Sequence, residues 1–292
     1  MAAVVLSGAF VGLVYGLLAV GLVVTYRTSR IINFAYGEIG MLAAFFYFDI
    51  RLGTNTTTFT HDRGLLLALP VAVAFGALLG VAMEWTIARP LRDNPTLNGM
   101  VATIAASLLF LTYAVRRWGI QVRTTKPLLE GNGVKVAGLN ISPSQLLIGA
   151  ATLVILGALA AVYRFTSYGL RLRATALNPY AAALSGINTN ATSMVTWTIA
   201  GALSAVSGIL IAPLVAVNAF FMTLLALRAF AAALAGGLTS IWGGFAAGVL
   251  LGVGEAVIAF KSPIKGITDV VVALGIVALV VARPGGLVRA QY

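Results

Sequence analysis

The residues of this chain with the most chemical capacity are few, and apolar sequence surrounds them. Glu38 lies in IINFAYGEIG, residues 31–40, beside Gly37 and Gly40 and close to Asn33. A buried carboxylate without a partner is costly, so Glu38 must be paired, protonated, solvated or at an interface. Two uses fit it: receiving backbone N–H groups at a helix start, or touching a polar solute that passes through the protein. Glu84 and Glu255 pose the same question. Glu84 stands one turn from the end of an apolar run, where it can snorkel to the interface or pair with a nearby arginine, and Glu255 follows Gly252 and is placed to line an internal cavity. Arg228 separates FFMTLLAL from AFAAALAGG, so its guanidinium is either at an interface or facing water inside a bundle. Both outcomes suit a transport path. His61 is solitary in a Thr-rich stretch and reads as a surface residue.

Enzyme signatures are missing. GxSxG, HExxH, P-loop and dinucleotide fingerprints do not occur in the right context, and no set of polar groups gathers at a common depth as a catalytic site requires. The chain has no cysteine, which excludes disulfides, thiolate metal sites and cysteine nucleophiles. The expectation is a chain without catalytic residues, bound metal or directly bound cofactor.

The elements that hold these residues follow from composition. With 60% hydrophobic and 9% charged residues, 292 residues cannot cover a water-soluble surface. The apolar runs are long and continuous, as in LLLALPVAVAFGALLGVAM from Leu65 to Met83, whereas a membrane β-barrel alternates over short segments. Since a helix needs roughly 20 apolar residues to cross the hydrocarbon, the expected fold is all-α. It is a polytopic integral membrane bundle with about eight transmembrane segments and broken or re-entrant glycine-rich pieces, forming one transmembrane domain over residues 1–292. Spans are expected near residues 4–25, 31–48, 65–88, 99–115, 146–163, 193–211 and 267–281, the second of them with a broken or partly re-entrant start around Asn33. The start lacks a basic region before its apolar stretch and reads as a retained first span. Between Arg228 and the last span the chain is too rich in glycine for one uniform helix. A break at Gly236 and Gly237, or at Trp242 to Gly244, precedes a full helix in which Gly244, Gly248 and Gly252 share a face. Gly12 and Gly16 form a similar small-residue pair in the first span. The polar loop from Arg116 to Gln145 has room for a small hairpin around Val134 to Val136, with glycines at 131, 133 and 138.

The formal net charge of +11 invites a nucleic-acid reading, but the basic residues are scattered through the breaks and form no dense stripe. Anionic lipid and cytoplasmic topology account for them instead. If the breaks after spans 1, 3 and 5 are cytoplasmic, they carry Arg27, Arg30, Arg89, Arg92, Arg164, Arg171 and Arg173, which puts the N terminus outside. Arg116, Arg117, Arg123, Lys126 and Lys135, after span 4, vote the other way. The aqueous segment that follows span 5 differs from an ordinary turn. Within Pro179 to Ile187, proline sits at a first-turn position after Asn178, and Tyr180, Ala183, Leu184 and Ile187 fall on one helical face. That face needs an apolar surface, supplied by the membrane face, the chain's own bundle or a peripheral protein.

These segments together resemble a known family, the H-type permease subunits of bacterial ATP-binding-cassette importers for branched-chain amino acids. GLVYGLLAVGLVVTYRTSRIINFAYGEIGML is similar to the family's opening, although Tyr36 stands where the family often has histidine, which removes an imidazole from that position. LRATALNPYAAALSGIN resembles its cytoplasmic coupling loop, AFAAALAGGLTSIWGGFAAGVLLGVGEAV its late glycine-rich region, and ARPGGL its tail. The resemblance implies a coupling loop over residues 164–192, with Arg173, Ala174, Asn178, Ala182, Gly186 and Ile187 as contacts to an ATPase subunit. Asn33, Glu38 and Arg228 are then the candidates for the translocation path or its gating. It further implies a multi-pass protein of the bacterial cytoplasmic (inner) membrane, with ATP used by partner subunits. The implied partners are a related second permease, cytoplasmic ATP-binding subunits and an extracytoplasmic solute-binding protein.

Relatives in the same family carry urea, short-chain amides and other small polar solutes, so the resemblance constrains mechanism more than cargo. An ion-coupled secondary transporter is the competing reading, since broken helices and isolated membrane carboxylates also fit it, although matching inverted halves are not evident.

Overall fold

The structure, a computed structural model, describes residues 1–52, 65–123, 125, 128, 129, 131, 133–136, 139–262 and 266–282. His61, Lys126, Gly138 and the ARPGGL tail from Arg283 onward lie outside the described residues. The helices are α1 (Ala2–Ser29), α2 (Tyr36–Leu52), α3 (Leu65–Met83), α4 (Thr96–Trp118), α5 (Pro143–Phe165), α6 (Ser167–Leu177), α7 (Pro179–Leu184), α8 (Thr189–Ile211), α9 (Phe221–Gly236), α10 (Ile241–Lys261) and α11 (Ile267–Ala282). In hydrocarbon each backbone N–H and C=O must be satisfied within its own segment, which is why long apolar runs become helices.

Among the described residues, α1, α3 with the π-helical turn after it, α4, α5, α8 with the 3-10 turn after it, and α10 are long and apolar enough to cross a membrane. The other two expected crossings, α2 with 17 residues and α11 with 16, are shorter. The expected hairpin is present as β1 (Val134–Val136) and β2 (Leu139–Ile141), antiparallel with Val134 opposite Ile141 and Val136 opposite Leu139.

The chain packs as two compact units. One contains Met1–Val23, Lys126–Val154 and Leu224–Tyr292. Its central contact is antiparallel: Gly8 meets Gly252 and Ala256, Gly12 meets Gly248 and Val249, and Gly16 meets Phe245. A Cβ on Gly248 would sit 2.5 Å from the Gly16 Cα, so α10 lies with its backbone directly on α1. The expected glycine face is therefore a close helix contact. The break before it falls at Gly237, whose φ is 85°. The alternative, Trp242 to Gly244, is corrected: those residues form the first turn of α10, where the Ser240 side chain accepts the Gly243 N–H at 3.0 Å. A capped helix start leaves no reason for a break there.

The other unit contains Val24–Thr125 and Ile155–Thr223. Its core is α8 between α2 and α3. The Gly201 backbone lies against Gly76, and Gly208 against Gly40. The fully buried Trp197 packs with Ile31, Ala35, Ile39, Met83 and Ala88. At one end of this unit Trp118 stacks on Phe45 with ring centroids 4.9 Å apart and donates to Asp49 at 2.9 Å. Thr125 donates there to the Ala212 carbonyl at 3.1 Å. That end collects the C-termini of α2, α4 and α8. The opposite end collects the C-termini of α1 and α5, with the Arg27 guanidinium over the Tyr163 ring. This is the alternation that successive crossings produce.

Two places depart from regular α-helix, the first of them at the broken start expected for the second span. The second span starts at Tyr36 rather than Ile31, because Arg30 takes a left-handed φ of 58° and Asn33 folds back so that its Oδ1 accepts the Ala35 N–H at 3.0 Å. Such Asx turns compete with helix. At the other departure, α3 ends in a π-helical turn, Glu84–Ala88, with the Arg89 N–H donating to the Glu84 carbonyl at 2.8 Å.

Candidate functional site

The segment after α5, expected to hold one short helix, holds two. Thr166 starts α6 by accepting the Gly169 N–H on its hydroxyl at 3.0 Å. The capping threonine was the available signal for this helix, which lacks the apolar periodicity that marks a span. α7 is bounded by chemistry at both ends. The Asn178 Oδ1 accepts from the N–H groups of Tyr180 and Ala181 at 3.0 and 3.1 Å, with Pro179 at the first helical position. At the far end the Gly186 N–H donates to the Ala183 carbonyl and the Ile187 N–H to the Ala182 carbonyl, both at 3.0 Å. That pair of bonds is a Schellman cap, and it requires the left-handed φ of 80° that Gly186 adopts. Four of the expected coupling residues are thus the architecture of α7: Asn178 begins it, Gly186 and Ile187 close it, and Ala182 is its buried contact with the chain. α7 ends at Leu184, so Ile187 belongs to the cap instead of the helical face.

The face itself is open. Tyr180 and Leu184 are each 74% exposed, and Leu177 and Leu170 beside them on α6 are also exposed. Among the described residues, nothing covers this surface. Arg173, exposed on α6, donates from Nε to the Gly169 carbonyl at 3.4 Å, and the Ala174 carbonyl accepts the Asn178 N–H.

Polar contacts tie this pair of helices to the spans. The Tyr168 hydroxyl donates to the Thr192 carbonyl at 2.9 Å, joining α6 to the start of α8. Burial pushes its phenol above the usual value near 10, with a side-chain hydrogen bond to Thr196 opposing, so it remains a neutral donor at ordinary pH. Arg30 donates from Nη2 to the Ala176 carbonyl at 3.0 Å. Arg92 donates to Asn190 and, at 3.2 Å, to the fully buried Glu84. Glu84 therefore has the arginine partner expected for it.

The three path candidates fall in different surroundings. Asn33 is buried and its side-chain oxygen is occupied by the turn before α2. Glu38, in the first turn of α2, is also buried. Its Oε1 accepts the Thr223 hydroxyl at 2.9 Å, while its Oε2 has no hydrogen-bond partner among the described residues. Asn33 and Glu38 share one unit; Arg228 belongs to the other. There its Nε lies 2.8 Å from Glu255 Oε1, its Nη2 pairs with Asp269, and its Nη1 donates to the Tyr15 hydroxyl at 3.4 Å. Tyr15 in turn donates to Glu255 Oε2 at 3.0 Å. Sequence reasoning singled out Arg228 and Glu255 but missed Tyr15 and Asp269. An isolated carboxylate in the last apolar run was the signal for Asp269.

No group of three or more metal-ligating side chains occurs among the described residues. What the arrangement offers is polar groups inside an apolar bundle and a capped helix pair that displays an apolar face, which is the equipment of a transport subunit.

Comparison with known proteins agrees. A model of the family described as branched-chain amino acid transport system / permease component matches residues 4–281. The high-affinity branched-chain amino acid transport system permease protein LivH of Escherichia coli K12 is 30% identical over 260 residues, covering 86% of this chain and 83% of that protein. LivH of Salmonella typhimurium has the same identity and coverage. BraD of Pseudomonas aeruginosa, of the same description, is 31% identical over 290 residues, covering 96% and 93%. With helices fit to cross a membrane and a match over nearly its whole length, this chain belongs to the branched-chain amino acid transport system permease component family, as a multi-pass, non-enzymatic transport subunit of the LivH type.

Proposed function

We propose that the chain forms, with a related second permease, the membrane channel of an ATP-driven importer of branched-chain amino acids in the bacterial cytoplasmic membrane. Cytoplasmic ATP-binding subunits dock on α6 and α7, and an extracytoplasmic solute-binding protein delivers the cargo. The observation that carries the reading is the open apolar face of α7, held between an asparagine cap and a glycine cap with Tyr180 and Leu184 outward. A six-residue helix has too few internal hydrogen bonds to persist alone, so caps that fix it while its apolar side chains stay uncovered suit a docking element. Displacement of α7 by the ATPases reaches the spans through Tyr168, Arg30 and the α7–α8 junction. Asn33, Glu38 and Arg228 are the candidate path or gating residues, and Arg173 a coupling residue.

The test is co-purification and ATP-dependent uptake of leucine, valine, urea and short amides by the reconstituted complex. Tyr180→Asp with Leu184→Asp is expected to release the ATP-binding subunits, and Arg173→Glu to lower uptake per ATP hydrolysed. Full uptake by the chain alone, driven by an ion gradient, would replace this reading with a secondary transporter.

A further inference from the structure

Within the unit that carries it, Arg228 is the centre of a four-residue network drawn from four helices: Tyr15 of α1, Arg228 of α9, Glu255 of α10 and Asp269 of α11. One guanidinium faces two carboxylates. The side chains are 22% exposed at Arg228, 12% at Glu255 and 64% at Asp269, so the network opens outward at Asp269 and closes inward at Glu255. Its depth follows from the antiparallel α1 and α10. Glu255 lies next to Ala256, which meets Gly8, so this level is about 9 Å along α1 from its start at 1.5 Å per residue. Asp269 sits in the first turn of α11. The network therefore runs from the helix ends on the N-terminal side of α1 into the apolar length of the bundle.

Ionic groups at that depth do not face hydrocarbon cheaply, so this face either lines a polar route or meets another protein. Its composition favours the route. Leu224, one turn before Arg228, and its neighbour Leu227 are 58% and 52% exposed. Paired charges of both signs beside open aliphatic side chains are the complement of a zwitterion with a branched aliphatic side chain. A guanidinium takes a carboxylate through two parallel hydrogen bonds, and a carboxylate takes an ammonium group.

We propose that Arg228, Glu255 and Asp269 form a reception station for the α-amino and α-carboxylate groups of the transported amino acid. In the unliganded state the single guanidinium is shared between the two carboxylates, so the station carries one formal negative charge in excess. An arriving zwitterion inserts between Arg228 and Asp269, its carboxylate on the guanidinium and its ammonium on Asp269. Being neutral overall, it replaces one ion pair by two and leaves the net charge of the station unchanged. Tyr15 and Glu255 hold the guanidinium in place during the exchange, and Leu224 and Leu227 receive the side chain.

The inference rests on the importer reading, and the experiment separates the two. The complete transporter in nanodiscs, without its solute-binding protein, is titrated with radiolabelled leucine, and the same preparation is assayed for ATP-driven leucine uptake in proteoliposomes with that protein present. The expected result is measurable leucine binding that weakens roughly tenfold in Asp269→Asn, as for loss of a hydrogen bond to a charged group, and recovers in Asp269→Glu. Should Asp269→Asn fail to assemble, Glu255→Gln and Leu224→Ser are read instead, the second weakening leucine more than alanine. Equal binding by wild type and variants overturns the station. So does absence of binding in a complex that takes up leucine, or loss of the second permease from the variants, which would make this face a subunit contact. Absence of ATP-driven leucine uptake in the wild type would instead sink the importer reading.

Discussion

The α1–α10 contact and the α6–α7 pair solve opposite problems. Between α1 and α10, glycine backbones lie directly on one another, so the two helices complete each other. At α6 and α7, short helices are fixed by caps and a few long-range hydrogen bonds while their apolar side chains stay uncovered. The difference teaches that the first region is finished by its own sequence, whereas the second is a shaped surface left open, onto which we propose that a partner docks. Substitutions in the first should reduce the amount of folded protein; those in the second should alter communication and leave the bundle standing.

The largest effect is expected at the close contact. Gly248→Leu forces side-chain atoms into Gly16 and the Tyr15 backbone, at a cost of about 3 kcal/mol or more. The measurement is yield and thermal midpoint in detergent, and a normal midpoint would break the comparison. Next is Gly186→Val, which asks a β-branched residue to hold φ 80°, a strain of about 1–2 kcal/mol confined to the end of α7. Uptake should fall with little change in the midpoint of the bundle. Asn178→Ala removes the acceptor for two α7 N–H groups, worth about 1 kcal/mol, and Asn178→Asp should restore it. ATP consumed per solute moved is the readout. Smallest is Tyr168→Phe, which loses one hydrogen bond to α8, about 0.5–1.5 kcal/mol. Because burial raises the folded pKa of Tyr168 above its unfolded value near 10, its contribution is fully present below that pH and disappears as pH rises beyond it. Wild type and variant should therefore differ by a constant amount from pH 6 to 9. A difference that changes within that range would overturn the assignment.

Much of the scaffold was legible in the sequence because lipid imposes a simple rule, and long apolar runs such as 65–83 have one way to satisfy their backbones. The hairpin at Val134, the break at Gly237 and the Gly244, Gly248 and Gly252 face were legible from local chemistry. The helix of Pro179 was legible from its cap and period, and its neighbour α6 was not, because a polar helix carries no apolar stripe. Periodicity is silent about the π-helical turn at Glu84–Ala88 and about the pairing of that carboxylate with Arg92. The partners of Arg228 were hardest to read. Asp269 is 41 positions away and Tyr15 is 213 away, and only the packing of separate helices decides which isolated charges meet. Two of the positive residues expected after the fourth span became intelligible in the same way, since Arg117, in the last turn of α4, pairs with Asp49 at 3.7 Å and Arg123 donates to the Trp118 carbonyl.

Arg30 joins two of these regions in a single residue. It stands at the corner between α1 and α2 in a left-handed backbone conformation, and its guanidinium grips the Ala176 carbonyl in the last turn of α6. A thrust that shifts α6 must either snap that grip or rotate the corner, and Asn33 and Glu38 follow it along the chain by three and eight residues. In the importer reading proposed above, this left-handed corner is the crank that turns a push at the membrane surface into movement of a carboxylate buried within it.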